Sequence, residues 1–535
     1  MAPSFAAGTV VTSDYLPWVR ATAASFAEHH PGQRYLVLSI DTPRDGQLRD
    51  DDPFELLSPQ DAGLSRDELA WMELIYTPLE LSCALKPVLL RRILADLETA
   101  IYLDADMLVY DSLAGIAQEA AGSGLVLSPH ALSPRTDPAM ETDDDLLAFG
   151  QFNAGFLAVG RDGIAFVDWW ASRLARDCPD WDPASPRRYL DQRWLDLAVG
   201  YFNCSICRDP GVNVARWNLH QRDLQLHGDR YLVDGSPLRV FHFSAFDPAN
   251  PSSIKRDSRW HPRVDPAHSP PLRRLAEDYA GRLARAGWRP RIGERQIRQV
   301  AGMRLAGPVQ AAVRAALAEA ERLGVAPKAG PDDPQRLLGW LRAPVSVERL
   351  SWYLWGLWSS HAGIRGAFPN VPGSDEQRLI GWSTAQGVAV GLVPVGLAGP
   401  ATPLALNAPQ PFVAVVEVDE ILADPAQLGE IARELGASDG VTLLLRAPGH
   451  DPVALLPELE PLLAAAGLDD PGSVDILALF DPVPPALLSD RVAAVLTRRA
   501  PHPAFAQLPV AADAAVLRAL AQAPQRPGGV ALASS

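Results

Sequence analysis

Ile101-Tyr102-Leu103-Asp104-Ala105-Asp106-Met107 is the stretch on which the reading of this chain turns. Three apolar residues lead directly into two carboxylates separated by one small residue, a pattern that predicts a buried strand delivering its acids at a sheet edge. Hard divalent cations such as Mg²⁺ and Mn²⁺ take oxygen ligands, few of them from protein, and fill the remaining positions from substrate phosphates. Asp104 and Asp106 therefore predict a metal site, with one carboxylate binding directly and the other reaching the metal or a ribose. Two acids in this spacing also recur as helix caps and solvated loops, so the meaning rests on what surrounds them.

The surroundings alternate strand and helix. Gly8–Thr12 is β-rich, and Ser13-Asp14 forms the cap expected for a helix carrying Leu16, Val19, Ala23 and Phe26 on one face. His30-Pro31-Gly32 ends that helix, and strands are expected at Tyr35–Ile40, Leu125–Leu127 and Gly155–Val159. Such alternation predicts an α/β sheet covered on both faces, with ligands outside the carboxyl ends of its strands. Asp104 and Asp106 fall at one of those ends.

Prolines crowd residues 250–300, including Pro262, Pro266, Pro270 and Pro271, and read as a break. Beyond it Pro308, then Val309, Val313, Leu317 and Ala320, then Gly324 predict an amphipathic helix with a proline start and a glycine stop. Residues 335–387 are tryptophan-rich, and Trp352, Trp355 and Trp358 fall on one helical side, an arrangement that suits a core better than a sugar platform. Strands return at Phe412–Val418, Val441–Leu445 and Val474–Phe480, with helices expected at Asp424–Leu435 and Pro452–Leu468. The expected division is residues 1–285, a helical middle region 286–400, a small Rossmann-like α/β domain 401–521 and an unstructured tail 522–535.

Composition narrows the function classes. Of 535 residues, 48 are Lys or Arg and 64 are Asp or Glu, a net charge of -16 that argues against nucleic acid as the partner. No run of about 18 apolar residues would span a bilayer, and the opening Met1–Leu16 lacks a basic stretch before an apolar one. Four cysteines fit a reducing compartment, so the cytoplasm is expected. Cys204 and Cys207 form a lone C-x-x-C that lacks the second pair a structural zinc needs.

Four motifs in order, YLDADMLVYDSL from 102, FNAGFLAVGR from 152, LDQRWLD from 190 and FHFSAFDP from 241, resemble the retaining GT-A glycosyltransferases related to glycogenin and the lipopolysaccharide galactosyltransferases, often grouped as glycosyltransferase family 8. The resemblance covers roughly residues 8–256. It implies a metal-dependent transfer of a sugar from a nucleotide sugar, a UDP-sugar with Mn²⁺ or Mg²⁺, to a saccharide, protein or lipid-linked acceptor. It implies Asp104, Asp106 and His242 as metal ligands, Asn153 on the donor sugar, and Asp191 with Gln192 at the face of the anomeric carbon. Thr12, Asp14 and Tyr15 match the turn that lines base and ribose, Asp104 also lies beside the donor, and Lys86 matches the lead into the helix before the DxD strand. Ala245 stands where the family often has glycine, and the nearest lysine after His242 is Lys255, so Lys86 or Arg256 is the expected phosphate contact. Arg193 follows Gln192 where relatives often carry aspartate.

Two other functions fit parts of the pattern. A catalytically inactive GT-A scaffold would keep the fold, and a nucleotidyltransferase would use a similar sheet and metal but usually a Gly-rich loop near residues 8–20, which this chain lacks. The segment after 401 faintly resembles the nucleotide-binding half of GT-B enzymes, without a phosphate loop or paired glutamates. A structural or acceptor-recruiting appendage is expected there. Acceptor contacts are expected from variable loops such as Pro134–Leu146, where Asp143-Asp144-Asp145 reads as a solvated turn.

Overall fold

The computed structural model describes residues 3–523 except 45, 135–136, 138–139, 181–188, 253–260, 291–298, 301–302, 328–332, 347–348, 403–405, 407–408, 481–482 and 490. It divides into two compact units, Met1–Gln296 and Ile297–Ser535. Lys255, Arg256 and residues 524–535, for which roles were expected, lie outside the described residues.

The first unit is built on a seven-stranded sheet: β1 (Phe5–Val11), β2 (Tyr35–Ser39), β3 (Glu55–Leu57), β4 (Thr99–Leu103), β6 (Leu125–Pro129), β7 (Phe152–Gly160) and β8 (Ser205–Ile206), in the order β3-β2-β1-β4-β7-β6-β8. β5 (Met107–Val109) lies in a second sheet. The pairs β1–β2, β2–β3, β1–β4 and β6–β8 are parallel, while β7 runs antiparallel to both of its neighbours. Strand side chains alternate between faces. Phe5, Ala7 and Val11 of β1 pack in one core with Val19, Ala23 and Phe26 of the helix Leu16–His29 and Ile116, Ala117 and Ala120 of Ala114–Ser123. Gly8 faces the other way, toward Leu89 and Ile93 of the helix Lys86–Asp96. A Cβ at Gly8 would lie 2.6 Å from the Leu36 carbonyl oxygen, so only glycine fits there.

A smaller sheet begins with the strand that follows the two acids. β9 (Val214–Ala215) and β13 (Val240–His242) flank β5 in the order β5-β13-β9, and a separate hairpin sheet holds β10 (Leu224–His227), β11 (Arg230–Val233) and β12 (Ser236–Pro237). Antiparallel pairing of β13 with β5 sets His242 opposite Met107, and parallel pairing with β9 sets it opposite Ala215.

Three local expectations are corrected. Pro270 and Pro271 do not mark a break: they open the sixteen-residue helix Pro270–Arg285, where a missing N–H costs nothing, and Leu272, Leu275, Ala276, Tyr279 and Leu283 bury one of its faces. Asp143-Asp144-Asp145 is not a turn but the first turn of the helix Asp143–Phe149, where Thr142 and Asp145 form a capping box and acids oppose the helix dipole. Ser13 and Asp14 sit inside a 3₁₀ turn, and the Ser13 backbone N–H and hydroxyl both donate to Asp41.

In the second unit the helix Gly307–Arg322 matches the proline-to-glycine expectation, and Gly324 adopts φ of 67° just past its end. It packs closely on Trp352–Ser360, where a Cβ at Gly356 would lie 2.1 Å from the Ala312 carbonyl oxygen. Trp352 is buried and stacks on Trp340 at 6.4 Å, while Trp355 and Trp358 are half-buried, so the tryptophan stripe serves mainly as core. Five strands, Asp475–Leu479, Val441–Arg446, Phe412–Glu417, Ala494–Leu496 and Val510–Ala511, form a sheet in that order with every pair parallel. A final helix runs from Ala514 to Gln522. Among the described residues no helix is long and apolar enough to cross a membrane.

Candidate functional site

At the carboxyl end of β4 the ladder with β7 continues one step beyond the strand, and the Asp104 N–H donates to the Gly155 carbonyl at 2.9 Å. The chain then turns sharply, with the Met107 N–H donating back to the Asp104 carbonyl, so that both carboxylates emerge before β5 begins. β13 returns antiparallel to β5 and the Phe243 N–H donates to the Asp106 carbonyl, which carries His242 to the same place. One ligand atom from each of Asp104, Asp106 and His242 lies within 4.8 Å of the others, and no other such group of three occurs among the described residues. His242 Nε2 is 3.1 Å from Asp106 Oδ1 and 4.0 Å from Asp104 Oδ2.

Gly155 makes the convergence possible. A Cβ there would lie 2.6 Å from Asp104 Oδ2 and 2.8 Å from His242 Cε1, so any side chain would displace the acid or the imidazole.

The residues open onto a cavity of about 330 Å³ lined by Thr12, Tyr15, Lys86, Asp104, Asp106, Asn153, Asp191, Gln192 and His242, among others. Asp14 is not among the lining residues. Thr12 Oγ1 is buried with no hydrogen-bond partner, and Tyr15 lies at the rim with its ring partly exposed, 5.0 Å from that of Trp18.

Lys86, the expected phosphate contact, lies on the cavity wall among oxygen partners. Its Nζ donates to the Ala154 carbonyl at 3.0 Å and pairs with Asp191 Oδ2 at 2.9 Å and Asp104 Oδ1 at 3.3 Å, while lying 4.6 Å over the Tyr102 ring. The Ala154 carbonyl takes one N–H, and the two carboxylates lie within ion-pair distance of the ammonium. Asn153 and Gln192 are committed in the same way. Asn153 Oδ1 accepts from the Gly155 N–H and its Nδ2 donates to Gln192 Oε1, while Gln192 Nε2 donates to the Phe149 carbonyl at 2.8 Å. These groups brace the cavity wall.

Burial opposes charge on Lys86, Asp106, Asp191 and His242, and neighbours decide the result. It wins at Asp191, whose carboxyl is held above the usual range despite Lys86. Burial also lifts Asp106, but the adjacent His242 outweighs it and the net direction is down. Burial lowers His242 and Lys86, yet Asp106 raises the first and Asp104 with Asp191 raise the second well above the usual lysine value.

Three carboxylates thus face one lysine and one imidazole, and an added cation is the natural complement. The donor set of two carboxylates and a histidine, cradled at a glycine, fits a divalent metal of the Mn²⁺ or Mg²⁺ kind. Sequence reasoning missed Asn213, fully buried at φ of 51° and bonded to both Asn153 and His242. Its one signal is an asparagine set between the valines of Val212-Asn213-Val214. Cys204 and Cys207 are free thiols, and Cys207 is buried with its thiol pushed up to about 11.

A larger cleft of about 790 Å³ lies in the second unit between Pro452–Ala465 and Asp475–Leu479. Among the described residues its lining includes the acids Glu460, Asp469, Asp470 and Asp475 and no lysine, arginine or histidine.

No family model matches the chain. Over 182 residues it is 28% identical to the uncharacterized protein YfnF of Bacillus subtilis (strain 168), covering 32% of this chain and 58% of that protein. Over 170 residues it is 27% identical to the uncharacterized protein YfnD of the same organism, covering 30% and 52%. The chain thus spans about half the length of the curated relatives it matches. Similar solved structures include galactosyltransferase LgtC in complex with donor and acceptor sugar analogues, at 18% identity and a TM-score of 0.33, covering 54% of this chain and 97% of that one. Another is a glycosyltransferase involved in glycosylation of the major capsid of PBCV-1, at 10% identity and a TM-score of 0.26, covering 46% and 96%.

Proposed function

We propose that this chain is a metal-dependent glycosyltransferase that moves a sugar from a nucleoside diphosphate sugar, a UDP-sugar, to an acceptor with retention of configuration. The observation that carries the reading is the convergence of Asp104, Asp106 and His242 within 4.8 Å at the carboxyl end of β4, on the wall of a cavity.

Asp104, Asp106 and His242 would hold Mn²⁺ or Mg²⁺. When bound, the cation supplies Lewis acidity and a template for the negative charge of a departing diphosphate. The remaining work falls to the chain. The buried Thr12 hydroxyl has an unused bond to offer a ribose or base, and the exposed face of Tyr15 offers a surface for the nucleoside. Lys86 fixes Asp104 and Asp191 in one geometry, so neither carboxylate must reorganise as charge develops. Gln192, pinned by Phe149 and Asn153, presents a fixed amide beside the place a sugar would occupy. Asp191 is clamped by Lys86 and buried, which suits electrostatic stabilisation of an oxocarbenium-like state better than covalent attack. The second unit we read as a structural or acceptor-recruiting appendage.

The test is a panel of UDP-, GDP- and dTDP-sugars with Mn²⁺, followed by thermal shift and product analysis. UDP with Mn²⁺ is expected to raise the melting temperature, by about 2.7 kcal/mol of added stability at a hundredfold excess over Kd, and UDP is the expected released product. Release of pyrophosphate would mark a nucleotidyltransferase instead. An unchanged melting curve at millimolar UDP and Mn²⁺ would overturn the donor assignment, and binding without turnover of any donor would favour a scaffold.

A further inference from the structure

We infer that Asn213 is a positioning residue that selects which imidazole nitrogen of His242 faces the metal, an inference that rests on the metal reading above. Two backbone groups whose polarity admits no choice fix the network. The Gly155 N–H donates to Asn153 at 3.1 Å, so the atom it meets is Oδ1. At the far end the Phe149 carbonyl can only accept, so Gln192 turns its Nε2 there and its Oε1 toward Asn153 Nδ2, 3.1 Å away. Both ends agree on the orientation of Asn153.

That orientation dictates the next link. Asn153 Oδ1 faces Asn213 at 3.1 Å and can only accept, so Asn213 presents Nδ2 to it, with Ser128 Oγ as its second acceptor at 3.2 Å. Asn213 Oδ1 is then left facing His242 Nδ1 at 3.3 Å. An oxygen can bond that nitrogen only if the nitrogen carries a proton. Nδ1 is therefore an N–H; Nε2, 3.1 Å from Asp106 Oδ1, also meets an oxygen as an N–H, and with Nδ1 keeping its proton Nε2 is the nitrogen left to a cation at Asp104 and Asp106. Trp217 packs edge-on against the imidazole at 5.1 Å and limits its rotation.

Asn213 is itself fixed. It sits at φ of 51°, a conformation asparagine tolerates better than most residues, and the Asn218 amide donates to its carbonyl at 3.1 Å. Asn218 also donates to the His130 carbonyl and accepts from the Ala215 N–H, which ties the segment to β6 and β9. The chain from Gly155 through Asn153 and Asn213 to His242 thus joins the wall of the cavity to the ligand set.

Two substitutions that tolerate the backbone at 213 separate this role from general packing. Asn213→Gly removes the side-chain bonds to Asn153, Ser128 and His242, whereas Asn213→Asp keeps an acceptor for His242 Nδ1 and loses the donors to Asn153 and Ser128. Mn²⁺ affinity of the full chain, read from the EPR signal of free Mn²⁺ without any substrate, is expected to fall tenfold or more in Asn213→Gly and to stay equal or tighten in Asn213→Asp. Equal loss in both variants, or none in folded Asn213→Gly, would overturn the inference. Should Asn213→Gly fail to fold, Asn213→Asp alone decides, because weakened Mn²⁺ binding there contradicts the role assigned to the oxygen. No Mn²⁺ binding by the unaltered chain would overturn the metal reading, and this inference with it.

Discussion

Lys86 and Asp191 form a buried ion pair, Nζ to Oδ2 at 2.9 Å, with side chains 5% and 3% exposed. A carboxylate so far from water is tolerated only when paired, and losing one partner typically costs about 3–5 kcal/mol, while replacing both can be nearly neutral. Lys86→Met is therefore expected to destabilise the first unit by about that amount, and Lys86→Met combined with Asp191→Leu to recover part of it. Urea midpoints of the single and double variants measure the coupling. A loss under about 1 kcal/mol in Lys86→Met would mean the pair does not hold the site.

Gly155→Ala tests the cradle. The added methyl would lie 2.6 Å from Asp104 Oδ2 and 2.8 Å from both Asn153 Oδ1 and His242 Cε1, closer than atoms tolerate. Asp104 or His242 must move, and Mn²⁺ affinity by isothermal titration is expected to fall tenfold or more, the scale of outer-shell changes at metal sites. Unchanged affinity would place the cation elsewhere.

What could be read in advance followed the range of the interactions involved. Asp104 and Asp106 were legible because a buried strand writes its apolar run beside its acids, and residues 102–106 are neighbours in sequence. His242 was legible only through the resemblance, since β13 meets β5 across more than a hundred residues. The ion pairs of Lys86 are not legible locally, because its partners, Asp104, Ala154 and Asp191, are scattered along the chain. Asn213 looks like a turn former, and its role exists only once β7, β9 and β13 stand together. Proline was misread at 270–271 because it both ends segments and opens helices.

His30 gives the fold a pH dependence of known sign. Buried against Phe5 and Phe26, it accepts the Leu113 N–H at Nε2. Burial chiefly, with the charge of His29 adding and Asp111 opposing, lowers it to about 4. Above the ordinary value of about 6.5 both folded and unfolded states hold it neutral, so it adds nothing there. Between about 6.5 and about 4 the unfolded chain binds a proton that the folded chain refuses, so stability falls as pH falls, by about 3 kcal/mol in all, and levels off below. His30→Gln can keep the acceptor and is expected to flatten this part of the curve when urea midpoints are compared across that window. An equal slope in both proteins would assign the dependence to other groups.

Asp106→Asn separates binding chemistry from folding. Asparagine keeps the shape and a weak oxygen ligand but removes the charge that a hard cation requires. It also leaves the backbone bond from the Phe243 N–H to the residue 106 carbonyl untouched, so β5 and β13 stay paired. The side-chain pair with His242 is weakened, which costs some stability. The remaining core around Phe241 and Phe243, packed against Leu272, Leu275 and Tyr279, does not depend on that pair. Circular dichroism and a cooperative melt are therefore expected to persist. The rise in melting temperature with UDP and Mn²⁺ is expected to vanish, as EDTA would make it vanish in the unaltered chain, because a ligand stabilises only the state that binds it. Donor turnover is expected to fall with it, by a hundredfold or more if the metal's charge on the leaving diphosphate is worth about 2.7 kcal/mol. Near-normal turnover in folded Asp106→Asn, with Mn²⁺ titrated to saturation, would remove the DxD pair from the metal site and require the cation to bind elsewhere.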